Sequence, residues 1–225
     1  MIAALTGCSA SSGAPSRGGV EVQRLDAAVV GLSAARRPLL ADIDAVQAAA
    51  TALDEVDAVC ATGDGVKART AYRAAEPKVL AARRALSDLA TGVGRYGQAL
   101  STLSAEVDAG SAAVRTALTA VVRDGRKEAS AMASFRTAVG LLWPSYDLLA
   151  SQEQTWITRA VTPWYRSASE GASAYAVLTS HGRSELTGAR ESLATAAHVL
   201  NGPSAVQSAT LQAADQVLAR QRTPN

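Results

Sequence analysis

The sequence predicts an all-α fold, an elongated bundle of four to six helices, and three observations carry that expectation. Alanine, the strongest helix former, occurs 50 times in 225 residues. Aromatic residues make up only 4% of the chain, so strand-forming runs are scarce. Apolar positions recur at alternating spacings of three and four through most of the length, the period of a buried helix face. A chain of this size suits one sizeable helical domain.

The first element is legible as a seam. Val22, Leu25, Val29, Leu32, Arg36, Leu39, Ile43, Val46, Ala50, Leu53, Asp57 and Cys60 keep the spacing, and only Arg36 and Asp57 interrupt its apolar character. Pro38 removes a helical hydrogen bond, yet the apolar phase continues across it. A kinked continuous helix is therefore expected, with a break at Arg37 as the alternative.

Ala61-Thr62-Gly63-Asp64-Gly65 then supplies turn residues and a capping aspartate. A second seam follows at Tyr72, Ala75, Val79, Ala82, Leu86, Leu89, Val93, Tyr96, Leu100 and Leu103. Folding the chain back at the turn puts Leu39 opposite Leu86 and Val46 opposite Val79. Charge supports the pairing: residues 20–60 carry seven acidic and three basic side chains, residues 61–100 three acidic and seven basic. That register brings Asp42 near Arg83, Arg37 near Asp88 and Asp54 near Arg73, pairs that select a partner more than they stabilise. Around Ala27, Ala28 and Gly31, opposite Gly92, Gly94 and Gly97, the seam is thin enough for close approach or bending. The expected product is a coiled-coil-like antiparallel hairpin over about residues 20–107, roughly 60 Å long.

Residues 111–222 continue as helices along Val114, Leu118, Val121, Met132, Phe135, Val139 and Leu142. Interruptions are expected at Asp108-Ala109-Gly110, Asp124-Gly125, His181-Gly182 and Asn201-Gly202-Pro203, and fresh helix starts at Pro144 and Pro163. The hairpin and these pieces form one domain, residues 20–222.

Composition excludes some functions. A net charge of +2 from interspersed charges lacks the basic stripe of a nucleic-acid binder. Two cysteines are too few for a disulfide scaffold, and Cys60 reads as a small buried hydrophobe, an intermolecular disulfide being the sharper alternative. After residue 8 no apolar run approaches the ~18 residues a membrane span requires.

Seven of nine aromatic residues fall between positions 135 and 175: Phe135, Trp143, Tyr146, Trp156, Trp164, Tyr165 and Tyr175. The plainer reading is large side chains filling irregular helix packing. The alternative is a small-molecule or glycan pocket around Trp143, Trp156, Trp164 and Tyr165, with Gln152, Glu153, Gln154, Arg159 and Arg166 supplying polar groups. His181 with Glu185, and Glu191 with His198, could share helix faces, but HExxH, CxxC and Glu-x-x-His patterns are missing and no metal is expected. His181 reads as a helix C-terminal residue complementing the dipole. Asp42, Asp44, Asp54, Glu55 and Asp57 lack the EF-hand spacing and read as a solvated face, with Asp57 satisfied by solvent or Lys67. A Gly-x-Ser-x-Gly elbow and a phosphate loop are absent, so no catalytic residue and no cofactor are assigned.

One motif addresses location. Leu5-Thr6-Gly7-Cys8 resembles the lipobox of bacterial membrane lipoproteins, in which the cysteine sulfur receives a diacylglyceryl group and becomes the first mature residue. Residues 1–7 then resemble the remnant of a signal peptide, whose basic n-region would lie upstream. Residues 8–19, rich in Ser, Gly and Pro, read as a flexible tether with a reach of roughly 18 Å. Two acyl chains suffice for stable anchoring. Arginine outnumbers lysine 19 to 3, which with the alanine load resembles proteins of GC-rich genomes such as those of actinobacteria. The resemblance implies an extracytoplasmic, lipid-anchored chain. The helical domain is then expected to be a non-enzymatic binding or structural module contacting another envelope protein. A homodimer through exposed seam is a further possibility.

Overall fold

A computed structural model describes residues 17–160 and 165–222. They form four helices: α1 (Arg17–Cys60), α2 (Gly65–Ala109), α3 (Ala112–Ala160) and α4 (Ala168–Arg222). The shortest has 44 residues, about 66 Å at 1.5 Å per residue. Short connections make successive helices antiparallel. α1 packs chiefly on α2, and α3 on α4, with α2 against α3 joining the two hairpins. The result is an all-α bundle.

Local chemistry sets the helix ends. Asp64 accepts hydrogen bonds from the Val66 and Lys67 amides at 3.1 Å each and starts α2 as the turn sequence predicts. At α4, Ser167 Oγ accepts from the Glu170 amide while the Glu170 carboxylate accepts from the Arg166 amide, a reciprocal cap. One end of the bundle gathers the start of α1, the α2–α3 connection and the end of α4: Glu21 accepts from the Ser111 amide at 2.7 Å, and Arg222 pairs with Asp26. The opposite end holds the α1–α2 turn and the start of α4. There Gly63 has φ +78°, and a Cβ on it would lie 1.9 Å from the Ala168 carbonyl oxygen, so only glycine allows both the turn and the contact.

The main core runs the length of all four helices, from Leu25, Leu103, Val114 and Leu218 at one end to Tyr146 and Leu186. A smaller core of Val56, Cys60, Ala68, Ala75, Trp156, Ile157 and Tyr175 closes the other end. Cys60 is fully buried with a free thiol.

Several expected breaks are not breaks. α3 passes through Asp124-Gly125 and Pro144, and α4 through His181-Gly182 and Asn201-Gly202-Pro203. Gly125 and Gly182 serve close approach instead: a Cβ at 125 would sit 2.7 Å from Leu100 Cδ1, and one at 182 would sit 2.6 Å from Gln152 Oε1. His181 is consequently mid-helix and exposed, not a C-terminal residue. Each helix holds one internal proline, Pro38, Pro77, Pro144 and Pro203. The residues four positions earlier, Ala34, Arg73, Gly140 and Val199, are all exposed, so water can satisfy the carbonyl each proline frees. Buried neighbours such as Leu142, Trp143 and Tyr146 then hold the helix through a site that propensity alone would break. Of the expected starts, Pro163 lies outside the described residues.

The hairpin register differs from the symmetric pairing. Leu39 lies against Gly92, where a Cβ would be 3.1 Å from Leu39 Cδ1, six residues beyond the expected Leu86. Side chains lean toward each helix's own N-terminus, which shifts contacts of an antiparallel pair in this direction. The expected ion pairs change accordingly. Arg83 binds Asp147 of α3 at 2.9 Å, Asp54 binds Arg190 of α4 at 2.6 Å, and Asp42 feels the charge of Asp88. Of the glycines in the thin stretch only Gly92 makes a close contact; Gly31, Gly94 and Gly97 face open space.

Candidate functional site

Among the described residues, buried ionisable side chains of different helices meet in two places, each built on one of the two residues that interrupt the α1 seam; buried Asp124 pairs within α3, with Arg123 and Lys127. The first layer forms around Arg36. Its guanidinium lies 2.8–3.0 Å from both carboxylate oxygens of Glu128 on α3 and donates to the Ser204 carbonyl and Ser208 Oγ on α4. Tyr96 of α2 donates its hydroxyl to Glu128 Oε2 at 2.6 Å. Glu128, Tyr96 and the nearby Gln207 are completely buried. Every helix contributes a member, and the opposite charges of Arg36 and Glu128 cancel. Burial and the Glu128 carboxylate both push the Tyr96 phenol up, so it remains a donor.

The second layer sits near the α1–α2 turn. Tyr175 of α4 donates to Asp57 Oδ1, and the same hydroxyl lies 2.8 Å from Glu153 Oε1 on α3. Arg183 and Arg190 of α4 approach Asp57 at 3.3 Å, and Arg190 also meets Asp54. Tyr146 places its hydroxyl 2.6 Å from Asp54 Oδ1, and the two guanidiniums lie 5.7 Å from the Tyr175 and Tyr146 ring centres. Trp156 is wholly buried, donates Nε1 to the Gly171 carbonyl at 3.2 Å, and meets the Tyr175 ring edge-on at 5.3 Å.

The electrostatics of the layer are uneven. Asp57 faces both arginines, whereas Glu153 is 1% exposed with a phenol as its direct partner. Burial raises the Glu153 carboxyl to about 8; the Tyr175 hydrogen bond opposes this, and the charge of Asp57 reinforces it. Burial also pushes up the Cys60 thiol, with Glu153 and Asp57 adding to the effect, so the thiol is poorly nucleophilic. Asp57 is therefore neither solvated nor paired with Lys67, as the sequence suggested; Lys67 binds Asp64 at 3.2 Å. Its position one turn inside the helix end turns it into the core.

Of the described aromatic candidates, Trp156 and Tyr165 come together and Trp143 stands apart. Trp143 belongs to the main core, edge-on to Tyr146 at 6.3 Å. Trp156 lies 13 residues further along α3, roughly 20 Å away by helical rise, in the smaller core. Tyr165 is half-buried and stacks on Trp156 at 6.5 Å. Trp164 lies outside the described residues, as do Cys8 and the whole Leu5–Cys8 motif. Of the polar candidates, Glu153 enters the second layer and Gln152 packs against Gly182. His181, Glu185, Glu191 and His198 are exposed except for the buried positions between them. Among the described residues, no group of three or more His, Cys, Asp and Glu is arranged to hold a metal ion, and no helix is long and apolar enough to cross a membrane.

Between α3 and α4 the described residues frame a broad recess of about 720 Å³, lined among others by Ser134, Thr137, Leu141, Glu191, Thr195 and Val199. Leu141 and Val199 are exposed at 63% and 51%, large values for apolar side chains.

Fold and site together define an all-α four-helix bundle with two buried polar layers. Comparison with protein-family models, curated proteins and solved structures finds no match. Sequence reasoning missed Glu128, Gln207, Arg183 and Arg190. For the first two a signal exists. Glu128 sits between Val121 and Met132, and Gln207 between Leu200 and Leu211, at the three-and-four spacing of buried positions.

Proposed function

We propose that this chain is a cell-envelope lipoprotein, held by lipid on Cys8 at the extracytoplasmic face of the membrane, and that its elongated helical bundle is a non-enzymatic binding or structural module for another envelope protein. The observation that carries the non-enzymatic reading is closure. The acids and phenols at the centre of both layers, Glu128, Tyr96, Asp57, Glu153 and Tyr175, are buried and bind their neighbours in the bundle, where a hydrolytic or transfer site would aim such groups at a substrate-sized cleft.

The lipobox-like Leu5-Thr6-Gly7-Cys8 and the Ser/Gly/Pro-rich tether support the address. Because α1 begins at Arg17, taking up the last three residues of the stretch read as tether, the end with Glu21, Ser111 and Arg222 is the anchor-proximal end. The second polar layer is then carried about 60 Å outward. Along the bundle the recess between α3 and α4 sets exposed Leu141 and Val199 beside a single carboxylate, Glu191, a mixed lining suited to an amphipathic helix with a basic edge.

Photoreactive residues placed at Leu141 and Val199 in the lipidated chain test this reading in cells. Both positions are expected to crosslink the same envelope protein, while Leu80, exposed on α2, gives no such adduct. Equal labelling from all three positions, or adducts only between copies of the chain, would argue against a dedicated partner on this face.

A further inference from the structure

We propose that the membrane-distal end of the bundle is a pH-operated latch: a proton on Glu153, held beside the Tyr175 hydroxyl that binds Asp57, keeps the first turns of α4 against α1 and α3, and alkaline conditions release them. The argument starts from a count of hydrogens. Tyr175 has a single hydroxyl hydrogen, yet its oxygen lies within hydrogen-bond distance of two buried carboxyl groups. If the hydrogen goes to Asp57, the 2.8 Å contact with Glu153 is attractive only when Glu153 carries its own proton and donates it to the phenol oxygen. The surroundings decide which acid that is. Arg183 and Arg190 form their ion pairs with Asp57, and Arg190 also pairs with Asp54; their charges reach Glu153 too and lower its carboxyl, but less than burial raises it. On α3, Tyr146 accompanies Glu153; α2 presents Tyr72, with Glu76 and Arg83 beyond it. Nothing in that set offers Glu153 a charge partner closer than those arginines. Glu153 is therefore the protonated member, in agreement with the elevation that burial imposes on it.

Opening this end would hydrate Glu153 and return its carboxyl to the ordinary value of 4.5. Because the closed form holds the proton up to about 8, each opening between those values releases one proton. The sign follows. The contribution to closure is complete below the ordinary carboxylate range, falls as pH rises, and is gone above about 8. In that window the opening equilibrium increases about tenfold per pH unit. Glycine-to-glycine contact of Gly63 with Gly171 makes this end the natural place to part, since little side-chain interlocking joins the turn to α4 there.

Cys60 reports the event, because it is fully buried in the same small core as Trp156 and Tyr175. The experiment measures thiol labelling of the full chain carrying Cys8→Ser from pH 5 to 9. Rates are divided by those of the denatured chain at each pH, which cancels the thiol's own ionisation. Protection of Cys60 is expected to fall about tenfold per pH unit up to pH 8 and then level off. Glu153→Gln keeps a donor for Tyr175 and has no proton to lose, so its profile should be flat over the same range. A flat native profile, or the same slope in both chains, overturns the latch. Carbon-13 NMR of the native Glu153 carboxyl gives a readout that does not depend on the variant folding. A midpoint near 8 is expected, and one near 4.5 would overturn the proposal.

Discussion

Arg36→Met is expected to destabilise the bundle by about 3–5 kcal/mol, the usual cost of leaving one partner of a buried ion pair alone. Glu128 would remain wholly buried with a phenol as its remaining close partner. Equilibrium urea unfolding at neutral pH measures the loss. The companion triple variant Arg36→Met, Glu128→Met, Tyr96→Phe removes every polar member at once and should recover most of it, because desolvating the pair costs about as much as their attraction returns. A single substitution costing under ~1 kcal/mol would mean that Arg36 is in effect a solvent-exposed pair. The layer's use is then positional: a register that separates Arg36, Tyr96, Glu128 and Ser204 strands a buried charge, so the arrangement of four helices is selected over slipped alternatives.

Trp156→Ala is expected to cost a further large amount, about 3–5 kcal/mol, through the cavity left by a wholly buried ring and the loss of the Gly171 hydrogen bond. For a bundle of this size each 1 kcal/mol moves the melting temperature by roughly 2–4 °C, so thermal unfolding should shift by roughly 10 °C. This result separates two roles for the same side chain. An aromatic wall of an open ligand pocket could be truncated with little effect on stability, whereas a core ring cannot. The stacked Tyr165, half exposed above Trp156, should cost much less when replaced by alanine.

Much of the architecture is legible in the sequence because it is written in spacing. The α1 and α2 seams, the Asp64 cap and the end of α2 at Gly110 all follow from apolar period and terminal chemistry. The breaks expected at Gly125, Pro144, Gly182 and Pro203 fail for one shared reason. A glycine or proline states what the local backbone permits, and these four positions are governed by what packs across the helix: Leu100 on Gly125, Gln152 on Gly182, and buried neighbours around Pro144 and Pro203. Polar residues on a buried seam carry the most information. Arg36 and Asp57 are visible as interruptions of α1, and each turns out to organise a layer. Glu128, Glu153 and Gln207 occupy equivalent positions on α3 and α4 and are readable by the same rule. Their partners are not readable, because Arg183 and Arg190 reach the core from partly exposed positions that no periodicity singles out.

The two layers also divide the labour along the rod. The Arg36 layer sets one cation against one carboxylate, whereas the Asp57–Glu153 layer places two acids on one phenol near the α1–α2 turn.

The most direct test of the proposed role is the intact mass of the mature chain, expressed from its full upstream reading frame in a lipoprotein-competent bacterium beside a Cys8→Ser variant. The account predicts a chain that begins at Cys8, carries a lipid-sized increment and sits in the membrane fraction, with all three lost in the variant. An unmodified chain that retains Met1 and behaves like the variant would contradict it.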